Sequence, residues 1–179
     1  MNRKSFLAAA AATLALSLGL GAAPQASATQ PTPANNIVDV AIAVNSSGPY
    51  AGLFDTLITA VLAADPAVLK RLTSKGQSTV FAPTDDAFGA LGLTPDNVGN
   101  LPQAALTEIL LYHVLLGRRD SNDVLASTRL RTLQGAFLKQ ASGSLTDVLE
   151  RQANIIVVDV PASNGVIHAI DAVVLPFAP

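Results

Sequence analysis

The chain has 179 residues, half of them apolar, and a formal net charge of −2 at pH 7. This length is enough for one domain with a sizeable hydrophobic core. The mild acidity gives no reason to expect nucleic acid or an anionic lipid surface as a partner. The absence of cysteine excludes thiol catalysis, disulfide bonds and zinc sites built from cysteine.

Residues 1–28 have the pattern of a secretory signal peptide. They begin with a basic Asn-Arg-Lys, continue with an apolar stretch over 6–20 and end on an Ala-Ser-Ala cleavage site. Removal of this segment leaves a net charge of −4, and the product is expected in the periplasm or outside the cell. Residues 29–35 are polar and proline-rich, typical of a short flexible leader. A single folded domain is predicted over 36–179.

Two helices are predicted at the start of this domain. Apolar residues from Leu53 recur in two i, i+4 rows, which indicates an amphipathic helix ending near Ala64. Asp65 and Pro66 then have the residue types of a helix cap and a first helical position. They predict a second, shorter helix that ends at Leu72.

A buried strand is predicted over residues 79–82, followed directly by another helix. Thr84 is the expected cap, and Asp85-Asp86 lie near the positive end of the helix dipole. Adjacent carboxylates at a helix start do not face each other, so capping is favoured over paired-carboxylate hydrolysis. Phe88 and Leu91 are expected to face inward.

The clearest later helix follows Pro102. One apolar stripe at i, i+3, i+4 and i+7 consists of Leu106, Ile109, Leu110 and His113. Residues 114–116 are interpreted as an extension of this helix that Gly117 ends. The histidine is therefore expected on an apolar surface.

The region from 118 to 151 is more polar, with turn signals at 134–135 and 142–144 that allow short strands. Arg118-Arg119 and Arg129 with Arg131 are interpreted as a solvated basic face, which could also meet acidic polysaccharide or cell-surface phosphate. No aromatic residues alternate with them in the manner of a nucleic-acid site.

Strands dominate the last part of the chain. Residues 155–160 are a β-branched run typical of a buried strand. Asn164-Gly165 indicates a tight turn into a final strand over 166–175. In that strand His168 and Asp171 each need a hydrogen-bond partner or an exit to solvent. Helices first and strands last predict the α+β class.

Three segments resemble the signature blocks of the fasciclin domain. They span residues 79–88, 110–115 and 164–171, in the family's order and spacing within about 36–177. The resemblance implies a β-sandwich or wedge with several helices packed along one edge. The structural positions of the motif are here Thr79, Phe81, Pro83, Thr84, Phe88, Asn164, Gly165, His168 and Asp171.

The resemblance also implies a function, that of an extracellular adhesion module. We therefore expect a secreted bacterial member that binds a cell-surface or matrix protein or polysaccharide without catalysis. No cofactor or metal is expected. A carrier of a small apolar ligand, such as a pigment or lipid, is the alternative, because apolar residues are abundant at the expected seam between sheet and helices.

Two residue pairs are candidate binding residues by the same resemblance. Animal members carry a Tyr-His motif and an Asp-Ile pair that have been linked to integrin binding, and these places are taken here by Tyr112-His113 and Asp159-Val160. Valine replaces isoleucine, and Pro161 follows where the animal pattern has leucine. Tyr112 could equally be a half-buried core residue with its hydroxyl at a polar rim, and Asp159-Val160 could simply end a strand.

The two histidines, His113 and His168, lie 55 residues apart without the spacing of a zinc helix. A structural role is favoured over metal binding or acid–base catalysis for both. Their rings are expected to bond to backbone groups or to a nearby aspartate or threonine, with Asp171 and Thr84 as candidate partners.

Overall fold

The structure is a computed structural model that describes residues 35–177. The predicted signal peptide and the predicted leader up to residue 34 lie outside this range. No helix within it is long and apolar enough to cross a membrane. In chain order the elements are α1 (Ile37–Ser46), α2 (Asp55–Ala63), α3 (Pro66–Thr73), β1 (Ser78–Pro83), α4 (Asp85–Gly89), a 3-10 turn (Val98–Asn100), α5 (Gln103–Tyr112), β2 (Val114–Leu116), α6 (Ser121–Ala126), β3 (Arg129–Arg131), β4 (Phe137–Ala141), β5 (Ser144–Thr146), β6 (Gln152–Ala162) and β7 (Gly165–Ile170).

The helix starts follow local capping rules. The predicted caps at Asp65 and Thr84 are confirmed, since each side chain accepts a hydrogen bond from a backbone N–H in the first turn of α3 or α4. Helix α1 was not predicted from the sequence, although Asn36 and Asp39 form a capping box at its start. Helix α6, which begins after the cap residue Asp120, was not predicted either.

Seven strands form one sheet in the order β2-β1-β7-β6-β5-β4-β3. The β1–β7 pair is parallel and the other pairs are antiparallel. The long strand β6 contributes to both halves of the sheet and has two register shifts against β7. The two edges of the sheet meet, because Leu115 forms a bridge with Thr132 and Leu133 N donates to Val114 O at 2.7 Å. The sheet is therefore folded over on itself, and the predicted α+β class is confirmed.

Two hydrophobic clusters lie on opposite sides of the β1–β7 pair. One is packed under helices α1, α2, α3 and α5, and includes Ile37, Leu57 and Ile167. The other fills the inside of the folded sheet, and its largest residues are Tyr112, Phe81, Leu115, Leu130, Leu138, Leu145 and Ile170. Strands β1 and β7 are buried at every position because both of their faces are covered.

Several sequence predictions were wrong about boundaries or burial. Residues 114–116 are strand β2 rather than a helical extension, because they pair with β1. Leu91 lies beyond the end of α4 and is 38% exposed, whereas Phe88 is buried as predicted. The run 155–160 is only partly buried, since one side of β6 has no layer over it. The last strand ends at Ile170.

The turn before β7 has Ser163 and Asn164 at its centre, so Gly165 is already the first residue of the strand. A Cβ atom at Gly165 would lie 1.9 Å from Ser78 O. Glycine is therefore required here by the close approach of two backbones, rather than by the turn itself.

Candidate functional site

Tyr112 is completely buried between the two halves of the sheet, with 0% of its surface exposed. Its hydroxyl donates to Phe137 O at 3.1 Å. Burial, followed by the negative charge of Asp147, raises the pKa of Tyr112 to about 12. The prediction that Tyr112 is a binding residue is therefore corrected, because the buried ring offers no surface to a partner.

His113 ends helix α5 and is also buried. Its Nδ1 lies 2.7 Å from Ile109 O, and Val174 N donates to Nε2 at 3.2 Å. Nε2 must therefore be unprotonated while Nδ1 carries the hydrogen. The ring links a helix end to the C-terminal segment, so it too is inaccessible to a partner.

The stability of the protein should depend on the protonation of His113. Desolvation by burial lowers its pKa from 6.5 to about 4, with smaller opposing effects from Ile109 O and Asp147 and a further lowering by Arg151. Since the native pKa is lowered, the contribution is fully present above pH 6.5 and is lost as the pH falls towards 4. We expect the free energy of unfolding to fall by about 3 kcal/mol over this range.

Urea unfolding measured from pH 7.5 to pH 4 tests this dependence. The variant His113→Gln serves as the control, because it has no titratable ring. Its unfolding free energy should vary much less over the same range, and an equally steep dependence in the variant would exclude His113 as its source.

His168 lies on β7 opposite Phe81 of β1, with the two ring centroids 5.7 Å apart. Asp159 N donates to its Nδ1 at 3.2 Å, and its Nε2 lies 3.0 Å from Arg119 O. The ring thus carries its hydrogen on Nε2, the opposite tautomer to His113. Its partners are backbone groups, whereas Asp171 and Thr84, the residues named as candidates from sequence, bond elsewhere.

Asp159 and Val160 lie on β6 near the second register shift. Asp159 is exposed and has a positive φ of 60°. Its carboxylate accepts hydrogen bonds from Ser121 N at 2.8 Å and from Ser121 Oγ, which holds the start of α6. Val160 is half-buried against the helical core. Of the four candidate binding residues, Asp159 is the one whose side chain is open to solvent.

Asn164 joins three segments that are distant in sequence. Its Oδ1 accepts from Ile37 N at 2.8 Å, and its Nδ2 donates to Leu72 O and Ser74 O, both at 2.7 Å. Its backbone carbonyl accepts from Ser78 N at 3.0 Å. The side chain is buried and therefore fixes the start of α1 and the end of α3 against the β6–β7 turn.

The first motif block is also structural. Thr79 Oγ1 donates to Gly117 O and accepts from Arg119 N, both at 2.8 Å. Asp85 accepts from Thr56 N at 2.8 Å and Asp55 N at 3.2 Å, so it caps α2 from a different helix. These bonds supply the cap that α2 lacks locally. The five structural motif positions in this block are all buried, namely Thr79, Phe81, Pro83, Thr84 and Phe88.

Asp147, whose side chain is fully buried, was not predicted from the sequence. Its Oδ1 accepts from Leu149 N at 2.8 Å and Arg151 N at 3.0 Å. Its Oδ2 accepts from Arg151 Nε at 2.9 Å, Arg151 Nη2 at 2.6 Å and Leu175 N at 3.0 Å. The i, i+4 spacing of Asp147 and Arg151 was the available signal.

Burial by itself would raise the pKa of Asp147, but the hydrogen bonds from Leu175 N, from the Arg151 side chain and from the two local N–H groups outweigh it and lower the pKa. The carboxylate is therefore ionised and fully bonded. Asp171, by contrast, is exposed and accepts from Asn154 N at 2.6 Å and Asn154 Nδ2 at 2.9 Å.

A small apolar cavity of about 80 Å³ lies between α1, α2 and β1. Residues that line it include Ile37, Leu57, Val61, Val80 and Ile167. Among the residues that the structure describes, no three His, Asp or Glu side chains converge in the manner of a metal site.

The comparisons with known proteins agree with this fold. The fasciclin domain model matches residues 52–176. An uncharacterized protein of Synechocystis sp. is 37% identical over 143 residues, which is 78% of this chain and 97% of that protein. Transforming growth factor-beta-induced protein ig-h3 of Sus scrofa is 35% identical over 69% of this chain, which covers 18% of that larger protein.

One solved structure, a FAS1 domain pair from the insect cell adhesion molecule fasciclin I, superposes with a TM-score of 0.51. It is 21% identical, and the match covers 64% of this chain and 42% of that chain. At this identity the similarity concerns the fold. Together with the match of the family model over most of the described residues, it shows that the chain belongs to the fasciclin domain family.

Proposed function

We propose that the protein is a secreted module that mediates adhesion to a cell surface or matrix by binding without catalysis. The observation that carries this proposal is the match of residues 52–176 to the fasciclin domain family. Resemblance to this family implies extracellular adhesion. Fasciclin I, which shares the fold, is described as a cell adhesion molecule. The predicted signal peptide supports export to the periplasm or the cell exterior.

The arrangement of the side chains supports binding of a partner at the protein surface. The polar residues of the motif that are buried, such as His113, His168 and Asn164, bond to backbone groups of the same chain. Beside Asp159, however, strand β6 exposes Ile156 at 52% and Val158 at 49%. Apolar side chains that stay exposed on a strand are suited to contact with a partner.

The role of Ile156 and Val158 as a contact segment is tested by measuring how strongly the purified protein attaches to cells and matrix preparations. A double variant, Ile156→Ser with Val158→Ser, should attach at least about fivefold more weakly, since partner contacts of this kind are worth about 1 kcal/mol or more. Leu62→Ser is the matched control, because Leu62 is 67% exposed on α2. Circular dichroism should be unchanged in both.

Equal attachment by wild type and the double variant would exclude this segment as the contact surface. Failure of the wild-type protein to attach to any cell or matrix preparation would contradict the adhesion proposal itself.

The apolar cavity favours a second candidate, a carrier of a small apolar ligand. Pockets that hold small molecules typically measure about 300–1,000 Å³, and the cavity of about 80 Å³ is smaller than this. A pigment or lipid in this cavity would therefore require α1 to move away from the sheet. Organic extraction and an absorption spectrum of protein from its native source separate the two functions, because a stoichiometric ligand would favour the carrier.

A further inference from the structure

We propose that the outer face of strands β3, β4 and β5 and the start of β6 binds a polysaccharide that carries carboxylates, such as a polyuronate. The inference rests on the proposed surface-binding function and assigns a class of partner to it. We define this outer face by Arg129, Arg131, Phe137, Lys139, Thr146 and Gln152.

The strand register places these side chains on one side of the sheet. Arg129 is opposite Lys139, Lys139 is opposite Thr146, and Thr146 is opposite Gln152. Directly opposite residues share a face, so the four side chains form one row across four strands. With strands about 4.8 Å apart, the row spans about 14 Å. The alternate positions are buried in the core, namely Leu130, Leu138, Leu145 and Ala153.

Arg131 and Phe137 form a second, adjacent pair on the same face. The Arg129 guanidinium carbon lies 4.2 Å from the centre of the Phe137 ring, and the ring is 40% exposed. This contact orders the arginine beside an apolar platform. An open depression of about 700 Å³ lies over this part of the face, with Arg129, Phe137, Lys139 and Val148 among its walls.

The charge of the outer face contrasts with the acidity of the chain as a whole. Lys139 Nζ lies 2.6 Å from Glu150 Oε1, but both side chains are mostly exposed, so this ion pair is weak and can open. The Asp147 carboxylate beneath the depression is already bonded to Arg151. The two arginines therefore remain available to an anion.

These groups match a polyuronate in chemistry. The planar guanidinium groups can bind carboxylates through two parallel hydrogen bonds. Thr146 and Gln152 offer donors and acceptors for sugar hydroxyls, and the Phe137 ring can pack against the apolar side of a sugar. Along the row, two cations, Arg129 and Lys139, are followed by the neutral polar residues Thr146 and Gln152, which suits a polymer that presents both carboxylates and hydroxyl groups.

Other polyanions fit less well. Proteins that bind nucleic acid neutralise about 6–10 phosphates, and clusters that bind anionic lipids contain about 4–8 Lys or Arg residues. The outer face has three cations, one of them paired with Glu150.

Calorimetric titration of the exported protein with an oligogalacturonate tests the site. The double variant Arg129→Gln with Arg131→Gln should bind at least about tenfold more weakly, because charge-assisted hydrogen bonds are lost. The control, Lys70→Gln with Lys75→Gln, removes the same charge from exposed positions in and after α3 and should change affinity less than about twofold. The methyl-esterified oligogalacturonate, which lacks the charges, should bind weakly or not at all.

Absent binding of oligogalacturonate by the wild type, or equal weakening by both double variants, would overturn the inference. Tighter binding of single-stranded DNA or phosphatidylglycerol vesicles through the same arginines would also overturn it. If the wild type attaches to cells or matrix while the Arg129/Arg131 variant attaches equally well, this inference fails and the proposed adhesion function stands. If the wild type attaches to none of these preparations, the adhesion function fails as well.

Discussion

Asp147→Ala should lower the free energy of unfolding by about 5 kcal/mol, a larger loss than we expect from any other single substitution in the domain. The change removes five hydrogen bonds at once. It leaves the Arg151 guanidinium, which is 34% exposed, without its counter-ion. It also leaves Leu175 N buried without an acceptor, which releases the C-terminal segment from β5 and the loop after it.

Chemical denaturation at pH 7 measures this loss, with Asp96→Ala as a control at an exposed position. Asp147→Asn adds a test of the charge. Because the native pKa of Asp147 is lowered, its contribution is present above the ordinary aspartate pKa of about 3.9 and is lost as the pH falls through the native value. The asparagine variant should therefore differ less from wild type at very low pH. A loss below about 2 kcal/mol for Asp147→Ala would contradict the role given to this carboxylate.

Asn164→Ala should cost about 4 kcal/mol. Three backbone groups lose their partners, namely Ile37 N, Leu72 O and Ser74 O. A buried backbone group without a partner costs about 1–3 kcal/mol, and α1 and α3 can shift to expose some of these groups to water. The expected total is therefore less than the sum of three full penalties.

Two further variants make this result specific. Asn164→Asp keeps the acceptor for Ile37 N but places a negative charge against Leu72 O and Ser74 O, so it should destabilise at least as much as alanine at pH 7. Asn122→Ala, at an exposed position on α6, should change stability by less than about 0.5 kcal/mol. Similar small losses at both asparagines would show that Asn164 does not join these segments.

Local chemistry made much of the fold predictable. Asp65 with Pro66 and the cap at Thr84 mark helix starts by short-range hydrogen bonds, and these predictions are confirmed. The stripe from Leu106 to Leu110 marks α5 through its helical period. Such signals depend on neighbours within a few residues, which is why one sequence is enough to find them.

The remaining features depend on contacts between distant residues. Residues 114–116 are apolar and follow a helix, and their strand conformation results from pairing with β1 more than thirty residues earlier. The exposure of Ile156 and Val158 results from how the sheet folds over, which no local pattern shows. For this reason the sequence of a short apolar run does not show whether it forms a helix or a strand.

The predictions about the candidate site also divide into those that local sequence supports and those that depend on contacts between distant residues. The structural roles favoured for His113 and His168 agree with their positions. The rings bond to backbone groups up to 61 residues away, which was one of the expected kinds of partner, and not to the candidate side chains Asp171 and Thr84. Tyr112 is part of the core rather than a contact residue. Asp147 was missed because its i, i+4 spacing to Arg151 fits an exposed ion pair as well as a buried one, and so does not indicate burial.

Structure and recognition are therefore divided between different residues of the molecule. Side chains that mark the family sequence hold distant backbone segments together, and we propose that exposed strand surfaces such as the outer face bind the partner. In a chain without cysteine, these buried hydrogen bonds supplement the hydrophobic core in place of covalent links.

Nitrogen-15 NMR of the two imidazole rings at pH 7 tests this division most directly, because the chain has two histidines and His113→Gln assigns their signals. We predict two fixed and opposite tautomers, with hydrogen on Nδ1 of His113 and on Nε2 of His168. Averaged tautomers, or a His113 ring that titrates near pH 6.5 as a free imidazole does, would contradict the structural role of these rings.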